Sequence, residues 1–466
     1  MQCFAVWSNE IEGRLDVFYY LPEFVELERR IKKSSSKTIG DYIINISGGA
    51  TPEKDESEKY YTDSAENGVP FLRVQNITES GLNLADCKYI NFDTHNGMLK
   101  RSQVKEGDLI TKITGVGRMA VSSVAPEGFD GNINQHLVAI KTDSYQTSKV
   151  LATFLNSDIG ERLAFRRSTG GTRPALDYRA LKTIPVIFKP EILDIMQFAL
   201  GQNKQKEAEA QGLLDSIDSY VLDELGIKLP EVEERMCFTV NSEEVQNNRM
   251  DTYYYQPRFE EVGKALRNGK YTVASLKNMA NEIISGQRPK GGVKQISDGV
   301  PSLGGEHILG NGCIATQNLK FIPNNFHESH LKSKANKNDI LLIKDGATTG
   351  KVGIIPENYP FDEVNINEHV FLIRCKKDFN PYYLFSFVKS TIGQIQISRE
   401  ITGGTIMGIV RVSVENLSIP LPPLEIQNKI ADEVKNRISE AERLKAEASK
   451  IIEEAKKKVE EIILGE

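Results

Sequence analysis

The chain has 466 residues, of which 39% are hydrophobic and 26% charged, and its net charge is −6 at pH 7. At about 150 residues per domain, this length leaves room for roughly three domains. The composition excludes a disordered chain, and the lack of any apolar run near about 20 residues excludes a membrane-spanning helix.

An internal repeat covers the chain. The segment Arg14–Phe24 returns as Arg249–Phe259 with the same Arg, Asp, paired Tyr, Pro and Phe. Four further blocks follow in the same order in both halves and begin at Gly68 and Gly299, Gly107 and Asn338, Asn132 and Asn365, and Thr169 and Thr402. We interpret the chain as two copies of one unit instead of three domains.

Each copy is predicted to contain a short N-terminal helix, a mostly β block and a long helix. The apolar runs 108–113 and 339–343 have the length and flanking turn residues of strands. One helix inside each block is predicted at 150–157 and at 383–390, because apolar residues recur there three and four positions apart.

The long helices are predicted at 191–227 and at 424–464. Each carries an apolar stripe that must pack on a partner, and each follows the same point of the repeat. We therefore expect them to pair antiparallel. The predicted fold is α+β, with two β-rich domains in pseudo-twofold repeat separated by a long antiparallel two-helix coiled coil. Its four segments are 1–190, 191–229, 230–420 and 421–466.

Charge is unevenly distributed between these segments. Residues 191–269 contain 16 acidic and 8 basic side chains, whereas residues 270–420 contain 13 acidic and 17 basic ones. The acidic total therefore belongs mainly to the central helix and its flank. An anionic partner would be held by the neutral to basic blocks.

Short motifs that can mark catalysis do not indicate it here. Asn380-Pro-Tyr-Tyr383 resembles the adenine-binding loop of DNA methyltransferases, but Tyr382 replaces the second Pro and the position suits a helix start. His327-Glu-Ser-His330 lacks the spacing of a zinc site, so we expect a surface loop. His136 and His369 are interpreted as structural. We expect no catalytic, cofactor-binding or metal-binding residues in this chain.

The cysteines are widely spaced and odd in number, without a Cys-x-x-Cys pair. They are Cys3, Cys87, Cys237, Cys313 and Cys375. We expect reduced thiols in a cytoplasmic protein, because the N-terminus also lacks the pattern of a secretion signal.

The repeated Thr-Gly-Gly-Thr loops are candidate nucleic-acid contacts. Glycine lets the backbone approach a ligand closely, Thr hydroxyls and amides can bond phosphate, and nearby Arg can address phosphate or guanine. An ordinary tight turn near the domain exit fits the same residues. Basic residues around Gly115 and Gly346 form a second candidate loop pair, which a solvated surface also explains. The candidate DNA-binding residues are Lys112, Arg118, Arg166, Arg167, Thr169, Gly170, Gly171, Thr172, Arg173, Lys344, Lys351, Arg399, Thr402, Gly403, Gly404, Thr405 and Arg411.

These features resemble the specificity (S) subunits of type I restriction-modification systems, which are HsdS-like proteins. The resemblance covers essentially the whole chain. It rests on the two copies with their long helices, the Gly-Val-Pro strand starts, the late Gly-Gly-Thr turns, and the exit Ile419–Gln427 that leads into the last helix.

The resemblance implies that each β-rich domain is a target-recognition domain for one half of a bipartite, asymmetric double-stranded DNA sequence. The helices would dock two methyltransferase (M) subunits, which bind S-adenosylmethionine and methylate adenine. Restriction (R) subunits, where they exist, would add cleavage that uses Mg²⁺ and ATP. This chain would itself be non-catalytic and hold no cofactor.

The partner-binding candidates lie at the start of the last helix and are Leu424, Ile426, Gln427, Ile430 and Val434. The first copy ends at 185–193 without the Pro-Pro-Leu-x-x-Gln exit of the second. Docking at the central helix is therefore less secure. Alternatives are a specificity subunit of a type IIB-like or other phage-defence methylation complex, a stand-alone DNA-binding protein, and an enzyme whose motif is not evident.

Overall fold

A computed structural model of the chain describes residues 4–6, 11, 13–53, 57–230, 237–245, 249–292 and 299–465. The chain divides into two compact units. Unit 1 comprises Met1–Lys206 and Ala446–Glu466, and unit 2 comprises Glu207–Lys445. The unit boundaries fall inside the two long helices, whereas the sequence predicts each long helix as a segment of its own.

Unit 1 combines short helices with two main β-sheets. Its helices are α1 (Pro22–Ser34), α2 (Ser57–Tyr60), α3 (Phe92–Asn96), α4 (Tyr145–Asn156), α5 (Asp158–Arg167), α6 (Tyr178–Lys182) and the first part of α7 (Glu191–Leu225). Its strands are β1 (Asn45–Gly48), β2 (Tyr61–Thr62), β3 (Gly68–Leu72), β4 (Ile77–Thr78), β5 (Gly81–Leu82), β6 (Lys88–Asn91), β7 (Gln103–Lys105), β8 (Leu109–Lys112), β9 (Ser122–Val124), β10 (Asp130–Ile133) and β11 (Leu137–Lys141).

The sheets of unit 1 have the strand orders β1-β11-β8-β9 and β2-β6-β3-β10-β7. The first is antiparallel, and the second pairs β3 with β10 in parallel. Leu151 and Phe154 of α4 pack with Leu109 and Val138 of the first sheet in the largest core of this unit.

Unit 2 has the same kinds of element. Its helices, besides the end of α7, are α8 (Ser242–Val245), α9 (Pro257–Arg267), α10 (Asn324–Ser329), α11 (Pro381–Lys389), α12 (Thr391–Glu400), α13 (Arg411–Glu415) and the first part of α14 (Leu424–Leu464). Its strands are β12 (Val273–Ser275), β13 (Ala280–Ser285), β14 (Val300–Leu303), β15 (Phe321–Ile322), β16 (Lys334–Ala335), β17 (Ile340–Ile343), β18 (Val352–Ile354), β19 (Val364–Ile366), β20 (Val370–Cys375) and β21 (Ser418–Pro420).

The sheets of unit 2 repeat those of unit 1. The order β13-β20-β17-β18 matches β1-β11-β8-β9, and β15-β14-β19-β16 matches β6-β3-β10-β7, including a parallel pair between β14 and β19. The predicted repeat and the α+β fold with two β-rich domains are confirmed.

Capping side chains extend the predicted inner helices. Ser144 accepts a hydrogen bond from the Thr147 amide at the start of α4. Asn380 does the same for the Tyr382 amide at the start of α11, with Pro381 in its first turn. The interpretation of 380–383 as a helix start is therefore confirmed, whereas both helices begin before the predicted 150–157 and 383–390.

The prediction of a surface loop at 327–330 is wrong. His327 lies in α10 and is buried. The Asn365 side-chain nitrogen lies 3.2 Å from His327 Nδ1. The polar sequence of this segment does not indicate the short helix, which packs the His327 imidazole into the interior.

The long helices pair antiparallel inside each unit, as predicted. In unit 1, the end of α14 contributes Val459 to the core that holds Ile192 at the start of α7. In unit 2, Ile430 near the start of α14 packs in the core that holds Val221 near the end of α7. Among the described helices, none has the length and apolar composition that a membrane crossing requires.

The described cysteines are free thiols: Cys87, Cys237, Cys313 and Cys375. Cys3 lies outside the described residues.

The repeated Arg-x-Asp motif anchors the N-terminal segment of each copy. The Arg14 guanidinium donates to the carbonyls of Arg167 (2.9 Å) and Ser168 (3.1 Å). Arg249 likewise donates to the carbonyls of Arg399 (3.1 Å) and Ile401 (3.2 Å). Each anchor therefore fixes the backbone just before a Thr-Gly-Gly-Thr loop.

A buried ion cluster supports this anchor in unit 1. Glu28 of α1 is 2% exposed and accepts from Arg166 and Arg167 of α5. Burial opposes ionisation of its carboxyl, but Arg167, Lys32 and Arg166 outweigh burial and hold the pKa of Glu28 below its ordinary value. The repeat places Gly263 at the position of Glu28 in unit 2.

We expect Glu28→Gln to lower the free energy of opening of α5 by about 3 to 5 kcal/mol, because it leaves two guanidinium groups buried without a counter-charge. Hydrogen exchange at the α5 amides measures this, with α12 as the internal reference. Because the Glu28 pKa is lowered, its contribution is present above the ordinary carboxyl pKa and is lost as the pH falls through the lowered value.

The matched control is Glu26→Gln, which removes an exposed pair with Arg29 and should change stability by less than about 1 kcal/mol. Equal effects of the two substitutions would contradict a structural role for the buried cluster.

Candidate nucleic-acid interface

A tight turn joins the two main sheets in each unit. In unit 1, the Asn134 amide donates to the Leu72 carbonyl (3.0 Å), and the Asn134 side-chain oxygen accepts from the His136 amide (3.1 Å). In unit 2, Asn367 makes the equivalent bonds to Leu303 (2.9 Å) and His369 (3.0 Å). The repeated Asn-Ile-Asn-x-His sequence therefore encodes this turn.

A glycine after the first strand of each unit lies directly against this turn. The Gly49 amide donates to the Leu137 carbonyl (3.1 Å), and the Gly286 amide donates to the Val370 carbonyl (3.2 Å). A Cβ atom at Gly49 would lie 1.9 Å from the Asn134 carbonyl oxygen, and one at Gly286 would lie 2.1 Å from that of Ile366. Only glycine allows this approach.

The loops after β8 and β17 bond to the same turn. The Ile113 amide donates to the His136 carbonyl (3.0 Å), and the Lys344 amide donates to the His369 carbonyl (2.8 Å). The turn therefore holds the loop that carries Gly115 in unit 1 and its counterpart in unit 2.

The Thr-Gly-Gly-Thr loops close on themselves and attach to these neighbours. Thr169 and Ala175 exchange two backbone hydrogen bonds of 2.8 Å each, and the Leu176 amide donates to the Ile113 carbonyl (2.8 Å). In unit 2, Thr402 and Gly408 exchange bonds of 2.8 and 2.7 Å, and Ile409 donates to Lys344 (2.8 Å). In each unit, the Thr-Gly-Gly-Thr loop therefore lies next to the loop that contains Gly115 or Gly346, although the two were predicted as separate candidates.

We call these four segments the loop cluster of each unit. In unit 1 it comprises residues 49–53, 113–118, 134–136 and 169–175. In unit 2 it comprises residues 286–292, 344–351, 367–369 and 402–408.

The loop tips are accessible to a ligand. Thr169, Gly170, Gly171, Thr172 and Arg173 are exposed in unit 1, as are Thr402, Gly403, Gly404 and Thr405 in unit 2. The unit 2 tip continues into Ile406, which is 70% exposed, where unit 1 has Arg173. The two tips therefore share a backbone shape and differ in charge and polarity.

Three of the candidate cations of unit 1 have buried side chains. Arg166 and Arg167 bond to Glu28, and the Lys112 ammonium donates to the carbonyls of Val116 (2.9 Å) and Arg118 (3.0 Å). Burial lowers the pKa of Lys112, which Glu161 partly opposes. These groups support the loop cluster from inside and are not presented to solvent.

The remaining candidate cations differ in how far their side chains are paired or buried, and therefore in whether a ligand can reach them. Arg118 pairs with Asp158 (2.9 Å), and Arg411 pairs with Glu415 (2.6 Å). Arg399 is partly buried over the Tyr254 ring and donates to the Tyr254 carbonyl (3.1 Å). Two lysines of the unit 2 cluster, Lys344 and Lys351, are partly exposed.

Three pairs of equivalent positions in the loop clusters were not nominated from the sequence. They are Thr51 and Arg288, Thr114 and Asp345, and Gln135 and Glu368. The difference between Gln135 and Glu368 is visible inside the repeated Asn-Ile-Asn-x-His block. The segments 47–52 and 285–289 both begin with Ser-Gly and end with Pro, but they differ by one residue in length, so the hydrogen bonds are needed to pair Thr51 with Arg288.

The cluster histidines take part in polar contacts. His136 Nδ1 lies 2.5 Å from Thr114 Oγ1, and His369 Nδ1 contacts the Asp345 carboxylate. Within the described residues, no group of three or more His, Cys, Asp or Glu side chains could hold a metal ion.

The predicted partner-binding residues lie mostly inside unit 2. Ile430 and Val434 are fully buried in its core. The buried Gln427 side chain accepts from the Asn380 amide (3.0 Å) and donates to the Pro422 carbonyl (2.9 Å). Ile426 packs against the same core, and only Leu424 is clearly exposed.

Comparisons with known proteins agree with this architecture. A family model described as the type I restriction modification DNA specificity domain matches residues 258–454. The putative type I restriction enzyme MjaX specificity subunit of Methanocaldococcus jannaschii is 24% identical over 412 residues, which cover 85% of this chain and 86% of that protein. The EcoBI specificity subunit of Escherichia coli is 27% identical over 180 residues, or 36% of each chain.

Solved structures also align over most of the length. The S subunit of a type I restriction-modification system from M. genitalium covers 92% of this chain and 94% of its own, with 11% identity and a TM-score of 0.37. A chain from a solved type I R-M system covers 92% and 95%, with 15% identity and a TM-score of 0.42. In the matched residues 258–454 and over the length aligned with the MjaX subunit, the chain is similar to type I restriction enzyme specificity subunits.

Proposed function

We propose that each unit of this chain reads one half of a bipartite, asymmetric target in double-stranded DNA. The observation that carries this proposal is the duplication of one loop cluster on an equivalent backbone with different exposed side chains. Two unequal readers in one chain suit two unequal half-sites. A single enzymatic site would not require the cluster to occur twice.

The exposed loop tips would provide the backbone contacts to DNA. In unit 1, the amides of Gly170, Gly171 and Thr172 and the Arg173 guanidinium would be offered to phosphate. In unit 2, Lys351 and the equivalent loop offer the same chemistry. Arg166, Arg167 and Arg399 would act indirectly, by holding the helix that precedes each loop.

The long helices would dock two methyltransferase subunits. Each unit contains the start of one long helix and the end of the other, so the chain offers two equivalent surfaces to two identical partners. The buried Gln427, Ile430 and Val434 would position α14 for docking without touching the partner.

Catalysis would belong to the partners. We infer that the methyltransferase subunits bind S-adenosylmethionine, that restriction subunits, where they exist, use Mg²⁺ and ATP, and that the assembly acts in the cytoplasm, where its DNA lies. This chain would then supply sequence selection alone.

Mapping of methylated adenines in genomic DNA tests the proposal. In cells that express the chain with its methyltransferase partner, we expect methylation at one split motif whose two halves differ. Deletion of the gene for this chain should abolish methylation at that motif and at no other. An unchanged methylation map would contradict the proposal.

We expect Arg173→Ala to weaken binding of target DNA by the assembled complex. Loss of one phosphate contact should reduce the slope of log Kd against log salt concentration by about 0.9. Titrations at several salt concentrations measure this slope. The control is Lys33→Ala, which removes an exposed cation at the end of α1 outside the loop cluster. An unchanged slope for Arg173→Ala would exclude a phosphate contact by this residue.

A further inference from the structure

The two loop clusters place different side chains at three equivalent backbone positions. These variable positions are 51, 114 and 135 in unit 1, and 288, 345 and 368 in unit 2. Their equivalence rests on matching hydrogen bonds. The Ala50 amide donates to Ile133 (3.2 Å), and the Gln287 amide donates to Ile366 (3.1 Å). The residue that follows each donor is therefore at the same place in its unit.

The variable positions surround one histidine in each unit. In unit 1, Thr51 donates to the Gln135 side-chain oxygen, and Thr114 Oγ1 lies next to His136. The contacts are between neutral polar groups. This arrangement leaves the Gln135 amide nitrogen and the second lone pair of its amide oxygen available for a ligand.

In unit 2, the same contacts are made by charged groups. Arg288 pairs with Glu368, and Asp345 contacts His369 Nδ1. The Glu368 carboxylate also lies 3.3 Å from His369 Nε2. Each neutral contact of unit 1 thus has a charged counterpart in unit 2, while the backbone hydrogen bonds are equivalent.

Exposure separates the variable positions from their framework. Asn132 and Asn365 are fully buried, so their side chains serve the fold. Thr51 and Gln135 are exposed, the Arg288 side chain is 46% exposed, and Thr114, Asp345 and Glu368 are partly exposed. An exposed ion pair contributes little to stability, so folding does not explain why charged groups replace neutral ones here.

We propose that these three positions are the base-reading positions of each unit, an inference that rests on the proposed function. A glutamine side chain matches the N6 and N7 edge of adenine, an arginine matches O6 and N7 of guanine, and a carboxylate accepts from N4 of cytosine. Gln135 therefore selects an A·T pair in the half-site of unit 1. Arg288 and Glu368 select a G·C pair at the equivalent place in the half-site of unit 2.

The carboxylates of unit 2 favour bases over phosphates as the ligand. Glu368 and Asp345 would repel a phosphate, whereas the amino group of cytosine is a neutral donor. Specific reading also requires exposed side chains on a rigid backbone, which the bonds to the Asn-Ile-Asn-x-His turn provide.

The test exchanges the chemistry of the two units in the complete complex. Arg288→Thr combined with Asp345→Thr and Glu368→Gln gives unit 2 the residues of unit 1 at all three positions, and Thr51→Arg combined with Thr114→Asp and Gln135→Glu does the reverse. Methylation is measured on a library of DNA duplexes with randomised half-sites. We expect the first variant to lose activity on the original target about 10- to 100-fold and to change the base preference of one half only. The second should change only the other half.

A matched control removes a similar ion pair outside the cluster. Lys334 and Glu363 pair at 2.7 Å. Glu363 directly precedes β19, whereas Asn367 of the loop cluster directly follows it. The combination Lys334→Thr with Glu363→Gln should leave both halves of the motif unchanged. The single change Gln135→Ala at an exposed position is a second reader variant that cannot act by unfolding the core.

The outcomes are distinct. If Gln135→Ala and both exchange variants keep the motif and rate of the wild type, the variable positions do not read bases, although the proposed function stands. If a change in one unit alters both halves equally, the assignment of one cluster to one half-site is wrong. If the wild-type complex methylates no split motif, the proposed function fails and this inference fails with it.

Discussion

The structure depends on one backbone constraint, which is the set of hydrogen bonds that the Asn-Ile-Asn-x-His turn makes to its neighbours. Each turn ties a parallel strand pair to an antiparallel sheet, and it fixes the glycine loop and the loop after the central strand. Gly49 and Gly286 lie so close to the turn that any side chain would clash. Since buried amides and carbonyls need partners, these bonds leave each loop cluster one arrangement.

That constraint fixes the backbone of the loop clusters and leaves their exposed side chains free to differ. The turn, the buried Asn132 and Asn365, and the anchors Arg14 and Arg249 set the position of the loops, and both copies retain them. The exposed tips are free to differ, as Arg173 and Ile406 do. In our proposal this separation lets one chain carry two readers of different specificity, while the paired helices α7 and α14 present equivalent surfaces to identical partners.

Much of the fold could be predicted from the sequence, because the repeat and the apolar stripe of α14 are long patterns. The site was harder to predict, because charge alone does not show where a side chain points. Arg166 and Arg167 directly precede a glycine loop, yet both side chains are buried, because they bond to Glu28 more than 130 residues earlier in the chain. His327 was assigned to a loop because a short helix leaves almost no periodic signal. The variable positions could be compared only once hydrogen bonds had aligned Thr51 with Arg288.

The most direct test of the central claim is photocrosslinking from the loop tips to DNA. Gly171 and Gly404 are equivalent, and a Cβ atom at either meets no atom within 4 Å, so a photoreactive side chain fits at both. In the assembled complex on target DNA, position 171 should crosslink to one half of the bipartite sequence and position 404 to the other. Crosslinks from both positions to the same half, or none from either, would contradict the account.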